Sequence, residues 1–180
     1  MTELWICRYD GLSFEQERIQ ARNVLKAALT ERLPHCPEPL LFEYGEYGKP
    51  YLKDAVLQFS LSYTHGACII ALSDNEIGAD IERLCAAKPH VAKRCFTDSE
   101  SKYLHQDEGL FDQRFYELWT QKEAYVKYTG SGFYQPPQSI DVMSYPICNS
   151  FYTLTDNDVI ISLCGRNIHP VSIYRVSVNE

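Results

Sequence analysis

Two short segments hold the residue types that chemistry needs. IGADIE, residues 77–82, carries Asp80 and Glu82 two positions apart. On a strand, side chains at i and i+2 point the same way, so the two carboxylates share a face. Gly78, two residues earlier, leaves room for something to approach the backbone. WTQKEAYVK, residues 119–127, places Trp119, Glu123 and Lys127 along one face of a helix, with Lys122 beside them. Each segment alone has an ordinary structural reading. An acid pair on an exposed strand is a solvated face, and Glu123–Lys127 is a surface ion pair worth about 0.3–0.5 kcal/mol. Together they mean more. Carboxylates from two elements can hold a hard cation such as Mg²⁺ and leave positions open for phosphate oxygens. A lysine one turn beyond Glu123 can meet the phosphate charge that remains.

The elements that must position these groups are legible around them. SFEQERIQARNVLKAALTERLP predicts a helix with Ser13 as N-cap, Glu15 and Glu17 in its first turn and Pro34 at its end. Residues 35–52 read as a Gly- and Pro-rich loop with one short strand. QFSLSY and ACIIALS form a hairpin pattern, and IGADIERL reads as the next strand. KPHVAKRCF and TDSESKYL predict short helices, the second opened by a Thr97/Glu100 capping box. FDQRFYELWTQKEAYVKYTG is the strongest helix, stopped by Gly130 and Gly132. SIDVMSY, FYTLT, VIISLC and VSIYRVSV read as strands, with a turn at Asp156-Asn157-Asp158. Strands and helices mix without regular βαβ alternation, which favours an α+β fold with antiparallel sheet.

Composition narrows the function classes. The 180 residues are 45% hydrophobic and 23% charged, which excludes a disordered chain and fits one domain or two small halves. A net charge of −7 without a basic tail argues against nucleic acid or an anionic membrane as partner. No apolar run approaches the roughly 20 residues of a bilayer span, and the start lacks the pattern of a secretory signal. The seven cysteines (Cys7, Cys36, Cys68, Cys85, Cys95, Cys148 and Cys164) show no C-x-x-C spacing and read as reduced core thiols of a cytoplasmic protein.

The pairing of IGADIE with FYELWTQKEAYVKYTGSGF resembles the signature of the 4′-phosphopantetheinyl transferases, most closely the surfactin-synthetase-activating type. EYGKPYL (46–52), FSLSYTHGACIIAL (59–72), AKRCFTDSE (92–100) and QPPQSIDV after the long helix extend the resemblance, in family order. It implies transfer of the 4′-phosphopantetheine arm of coenzyme A to a serine of an apo carrier protein (acyl, polyketide or peptidyl), with release of adenosine 3′,5′-bisphosphate. That is the activity of a holo-[acyl-carrier-protein] synthase. It implies Mg²⁺ held by Asp80, Glu82 and Glu123 with the pyrophosphate. Lys127 would neutralise phosphate charge with support from Lys122, and Lys49, Arg22, Ser62 and Tyr63 would contact coenzyme A. Either Glu123 or a metal-bound water would take the serine proton. Trp119 would pack and orient its helix.

The fold implied is α+β, with two similar halves of roughly 1–85 and 86–180 in pseudo-two-fold relation. Each half would set a small antiparallel sheet on a long helix, with the active site between them in a monomer. The sequence departs from the family in two places. Tyr63 stands where the family has histidine, with His65 two residues later, and the basic segment before the first helix is short. Arg18 and Lys26 are candidates to support Arg22. Two other readings share these residues: a catalytically impaired relative that binds coenzyme A or carrier protein, and a Mg²⁺-dependent phosphohydrolase.

Overall fold

Ser13 opens the first long helix as a polar residue ahead of an apolar periodicity should. Its hydroxyl accepts from Gln16 N, and the Gln16 side chain returns to Ser13 N at 2.8 Å, closing a capping box. A computed structural model describes residues 1–34, 39–53, 55–134 and 136–178. Along it run β1 (Thr2–Tyr9), α1 (Phe14–Arg32), β2 (Phe42–Tyr44), β3 (Pro50–Leu52), β4 (Gln58–Thr64), β5 (Ala67–Ser73) and β6 (Ile77–Arg83). There follow α2 (Pro89–Cys95), α3 (Asp98–Leu104), α4 (Phe111–Thr129), β7 (Phe151–Asp156), β8 (Val159–Gly165) and β9 (Val171–Val178). The fold is α+β. The Thr97/Glu100 capping box opens α3 as the sequence indicates. Gly130 ends α4 in the left-handed region at φ 65°, where a side chain would strain the backbone.

Strand order explains the architecture. The first sheet runs β4-β5-β1-β9 and the second β6-β8-β7, while β2 and β3 form a separate hairpin. β1, α1, β4 and β5 thus make a strand, a long helix and a hairpin whose second strand lies beside the first strand. β6, α4, β7 and β8 repeat that topology. β6 lies before residue 85, yet its hydrogen-bonded partner is β8. Sheet membership therefore changes between β5 and β6. β9 pairs with β1 in parallel, so the first sheet is mixed rather than purely antiparallel.

The two sheets pack face to face. Leu4, Ile6 and Ile69 meet Ile77, Ala79, Ile81, Ile161 and Leu163 in a core that excludes water. α1 covers the outer face of the first sheet through Leu25, Ala28 and Leu29 against Phe59, Ile70 and Leu72. Phe115, Leu118 and Val126 of α4 pack with residues of α2, α3 and the segment after α4. At one end an ionic cluster ties the sheets together. Arg8 reaches Asp158 at 2.9 Å, Arg175 reaches Asp156 at 3.0 Å, and Arg83 pairs with Asp158.

The structure corrects three expectations. SIDVMSY is not a strand: it follows a 3-10 turn at Pro137–Ser139 and continues as irregular chain. Ile140 and Val142 alternate and are buried, but Pro136, Pro137 and Pro146 remove ladder donors nearby. The backbone N–H of Val142 finds a side-chain acceptor instead, Glu100 Oε1 at 3.0 Å. The region expected to hold one short strand forms the β2–β3 hairpin. Of the cysteines, Cys7, Cys68 and Cys164 are buried, whereas Cys85 and Cys148 are exposed and Cys95 is intermediate. Cys36 lies outside the described residues. Among the described residues no helix is long and apolar enough to cross a membrane.

Candidate active site

β6 organises the site through its alternation. Ile77, Ala79 and Ile81 face the core between the sheets, so Gly78, Asp80 and Glu82 face α4. Gly78 is what lets the helix approach. A Cβ there would overlap Ala124 O and Tyr128 N outright and lie 2.9 Å from Lys127 C. The space left beside Gly78 is filled by the α4 backbone. That close approach sets the face bearing Trp119, Glu123 and Lys127 over the strand carboxylates.

The contacts follow from this placement. Asp80 is 4% exposed. Its Oδ1 accepts from Lys127 Nζ at 2.7 Å and from Ser62 Oγ at 2.7 Å, and its Oδ2 is buried with no partner. Lys127 Nζ also donates to Ser62 Oγ at 2.9 Å. Glu82 Oε1 accepts from Trp119 Nε1 at 3.2 Å. Burial pushes the Asp80 carboxyl above the usual range, with Lys127 and Ser62 opposing. Burial and then the Asp80 charge push Glu82 up as well. Glu123 is raised to about 7 by burial, by Asp80 and by Glu82, against the pull of Lys127. The Asp80 charge thus disfavours charge on both glutamates, and one ammonium compensates only part of it.

Hard oxygen donors, mutual repulsion and an orphaned carboxylate oxygen suit a divalent cation. The carboxylates are not drawn tight around one point, however. Among the described residues no three His, Cys, Asp or Glu side chains stand in a grouping that would hold a metal ion. Small side-chain movements would have to gather them.

Ser62 and Tyr63 divide their tasks by strand alternation. Ser62 and Ser60 face β6, where Ser60 Oγ accepts from Ala79 N at 2.9 Å. These two hydroxyls stitch β4 of the first sheet to β6 of the second. Tyr63 faces α1 instead, with the Arg18 guanidinium 5.5 Å from its ring centroid and Phe14 edge-on at 5.9 Å. It lines a 590 Å³ cavity with Arg18, Arg22, Lys26 and Tyr44. A second cavity of 310 Å³ is lined by Lys127, Lys49, Ser60 and Gly132. Both cavities share Gly48, Pro50, Phe59 and Leu61, so a groove runs from Lys127 to the cations of α1.

Two of the lysines are engaged by groups of the protein itself. Lys122 is fully buried and turned away from the cleft. It pairs with the equally buried Glu100 at 2.7 Å and donates to Pro137 O at 2.9 Å and to Ile140 O. One residue on a helix is a rotation of about 100°, so Glu123 faces β6 while Lys122 faces α3. Burial pulls the Lys122 ammonium down and Glu100 opposes this. Lys49 lines the groove but its Nζ is engaged by Glu76 at 2.8 Å, Ile77 O at 3.2 Å and Tyr128 O at 3.4 Å. It holds the β2–β3 hairpin to the end of α4.

Glu100→Ala should therefore cost about 3 kcal/mol in urea unfolding, because it strands a buried ammonium. The double replacement Glu100→Leu with Lys122→Met should recover at least half of that loss. Equal instability in the single and double variants would show that the pair's charge is not the cause.

Three contributors escaped sequence reading: Ser60, Glu100 as the partner of Lys122, and the Trp119–Glu82 bond. For Ser60 a signal existed, since FSLSY alternates two serines with apolar residues on one strand.

The cleft between β6 and α4 gathers three acids and a lysine and opens through a groove to the cations of α1. Residues 76–167 match the 4′-phosphopantetheinyl transferase superfamily, and the chain belongs to it. Among curated relatives, it is 31% identical over 175 residues to 4′-phosphopantetheinyl transferase gsp of Aneurinibacillus migulanus, covering 96% of this chain and 68% of that one. It is 35% identical over 103 residues to 4′-phosphopantetheinyl transferase Sfp of Bacillus subtilis (strain 168), covering 56% of this chain and 46% of that one. To 4′-phosphopantetheinyl transferase HetI of Nostoc sp. it is 34% identical over 119 residues, covering 62% and 50%. The chain thus spans about half the length of the last two relatives.

Proposed function

We propose that this chain transfers the 4′-phosphopantetheine arm of coenzyme A to a serine of an apo carrier protein, releasing adenosine 3′,5′-bisphosphate. The observation that carries the reading is the groove joining the cations of α1 to Lys127. Arg18, Arg22 and Lys26 lie at i, i+4 and i+8 on α1 and line one cavity. Like charges at that spacing destabilise a helix by a few tenths of a kcal/mol per pair. An anionic ligand reverses that cost, and coenzyme A carries phosphates at two places along its length. The ribose phosphate would meet the α1 cations, and the pyrophosphate would reach Lys127.

Asp80, Glu82 and Glu123 would hold Mg²⁺, which when bound screens the pyrophosphate and the charge that develops on the leaving bisphosphate. The chain's own groups do the rest. The serine hydroxyl oxygen bonds to the β-phosphorus as the bond from that phosphorus to the bridging oxygen breaks, and the electron pair leaves with adenosine 3′,5′-bisphosphate. The hydroxyl proton passes to a base, for which Glu123 is the candidate carboxylate on the α4 side of the cleft. Lys127 offsets negative charge at the phosphate. Trp119 holds Glu82 in position. We further propose two halves that meet between β5 and β6, with β4 contributing Ser62 to the site, and an enzyme active as a monomer in the cytoplasm. The acceptor is an acyl, peptidyl or polyketide carrier protein.

The test is mass spectrometry of several apo carrier proteins after incubation with coenzyme A, Mg²⁺ and this protein. A gain of the phosphopantetheine mass on the acceptor serine is the expected result. Hydrolysis of coenzyme A without an adduct on any acceptor would overturn the reading in favour of a phosphohydrolase.

Ligand contacts predict a split in kinetics. Arg22→Ala should raise KM for coenzyme A about 10-fold and leave kcat nearly unchanged, since a charge-assisted contact to a non-reacting phosphate is lost. Tyr63→Phe should change either constant less than about 10-fold, because a neutral hydrogen bond is worth about 1 kcal/mol net. A collapse of kcat in Tyr63→Phe would give the hydroxyl a role in the chemistry.

A further inference from the structure

The contacts of Lys127 lead further, on the footing of the metal-dependent reading above. One oxygen of Asp80 receives both the Lys127 ammonium and the Ser62 hydroxyl, each at 2.7 Å, while the other oxygen is buried and bare. Glu82 is held by Trp119 and not by the ammonium. Lys127 thus sits on the most buried acid of the site. Its side chain keeps 30% exposure and lines the groove, so its four-carbon stem has open space to move into.

We infer that Lys127 acts as an internal counter-cation that a divalent ion must displace, so that cation binding depends on arrival of the phosphate ligand. An ammonium on one oxygen of Asp80 and a divalent ion on the other would repel each other strongly across a single buried carboxylate. Pyrophosphate in the groove offers the ammonium another anion at the cost of a side-chain swing. The ligand then acts twice: it supplies oxygens to the ion and it draws Lys127 off Asp80. Coupling of this kind is reciprocal, so the ion tightens the ligand by the same factor. It also keeps the buried carboxylate partly neutralised while the groove is empty.

The test uses Mn²⁺ as a probe for a hard-cation site, with the free ion read by electron paramagnetic resonance. It is titrated into the full chain and into Lys127→Met, each with and without coenzyme A. Lys127→Met alone should bind Mn²⁺ at least about 10-fold more tightly than wild type. The tightening produced by coenzyme A should shrink by a similar factor in Lys127→Met. Lys49→Met, which removes a groove cation bonded to Glu76 rather than to Asp80, should change Mn²⁺ affinity less than about threefold. Thermal unfolding checks that both variants are folded. If Lys127→Met binds no more tightly than wild type, or if Lys49→Met tightens binding equally, the inference fails. Wild type that takes up no Mn²⁺ even with coenzyme A would remove the metal assignment itself, and this inference with it.

Discussion

Asp80→Ala and Glu123→Ala should each lower transfer by about 10³-fold or more while leaving the protein folded. Each change removes an anionic oxygen donor from the place where, on the proposed reading, ion and pyrophosphate would meet, so ion affinity and transition-state stabilisation should fall together. The fold should tolerate both changes. Asp80 carries a buried oxygen without a partner, burial raises all three acids, and the Asp80 charge adds to the rise of both glutamates. Removing Asp80 relieves both glutamates, and removing Glu123 takes away a carboxyl whose charge is disfavoured by burial, so the thermal midpoint should hold or rise.

The sign of the pH dependence follows from Glu123. Its ordinary value of 4.5 is lifted to about 7 in the folded protein. Between those values the native state binds more protons than the unfolded chain. The stability Glu123 contributes is therefore full below its ordinary value and is lost as pH rises through about 7. Glu123→Gln should remove this slope, gaining about 1–2 kcal/mol over wild type at pH 8 and little at pH 5. Urea unfolding at the two values measures it. A wild-type advantage at pH 8, or near wild-type transfer by either alanine variant with Mg²⁺ present, would show the assignment to be wrong.

Gly78→Ala should be severely destabilising, by about 4 kcal/mol or more. The added methyl meets the α4 backbone at Ala124 and Tyr128, and neither backbone can give way as the tip of a side chain can. α4 must then lift from β6, which separates Glu123 and Lys127 from Asp80. Any folded fraction should keep little transfer activity, since a displacement of about 1 Å in reacting groups can cost 10²-fold. Denaturant unfolding with circular dichroism gives the first effect, and activity per folded molecule gives the second. A variant with the stability and the rate of wild type would mean that the helix does not need this close approach.

Much of the site could be read from the sequence because strand and helix periods are strict. The alternation in IGADIE put Asp80 and Glu82 on one face, and spacing by four put Trp119, Glu123 and Lys127 on another. The helix caps at Ser13 and Thr97 were also legible, since their partners lie three residues away. What could not be read depends on contacts distant in the chain. Lys122 and Glu123 are neighbours of similar polarity, and only the buried carboxylate of Glu100 decides that the lysine turns inward. Ile140 and Val142 alternate as a strand would, but their burial against α4 needs no ladder. The direction of β9 is set by β1 across the length of the chain, and no local pattern encodes it.

That pairing has a mechanical consequence. Thr2 lies opposite Val171, and Val178 lies opposite Tyr9. Because the strands are parallel, a stretching force applied at Thr2 and Val178 pulls β1 and β9 past each other along their length. The ladder between them is loaded in shear, with its hydrogen bonds sharing the force, rather than being unzipped one bond at a time. β1 is also held by β5 on its other side, so it cannot slide without breaking a second ladder. Tension between these two positions is therefore carried by the ladder between β1 and the edge strand β9, while β6 and α4, which hold the acids, lie outside the line of force.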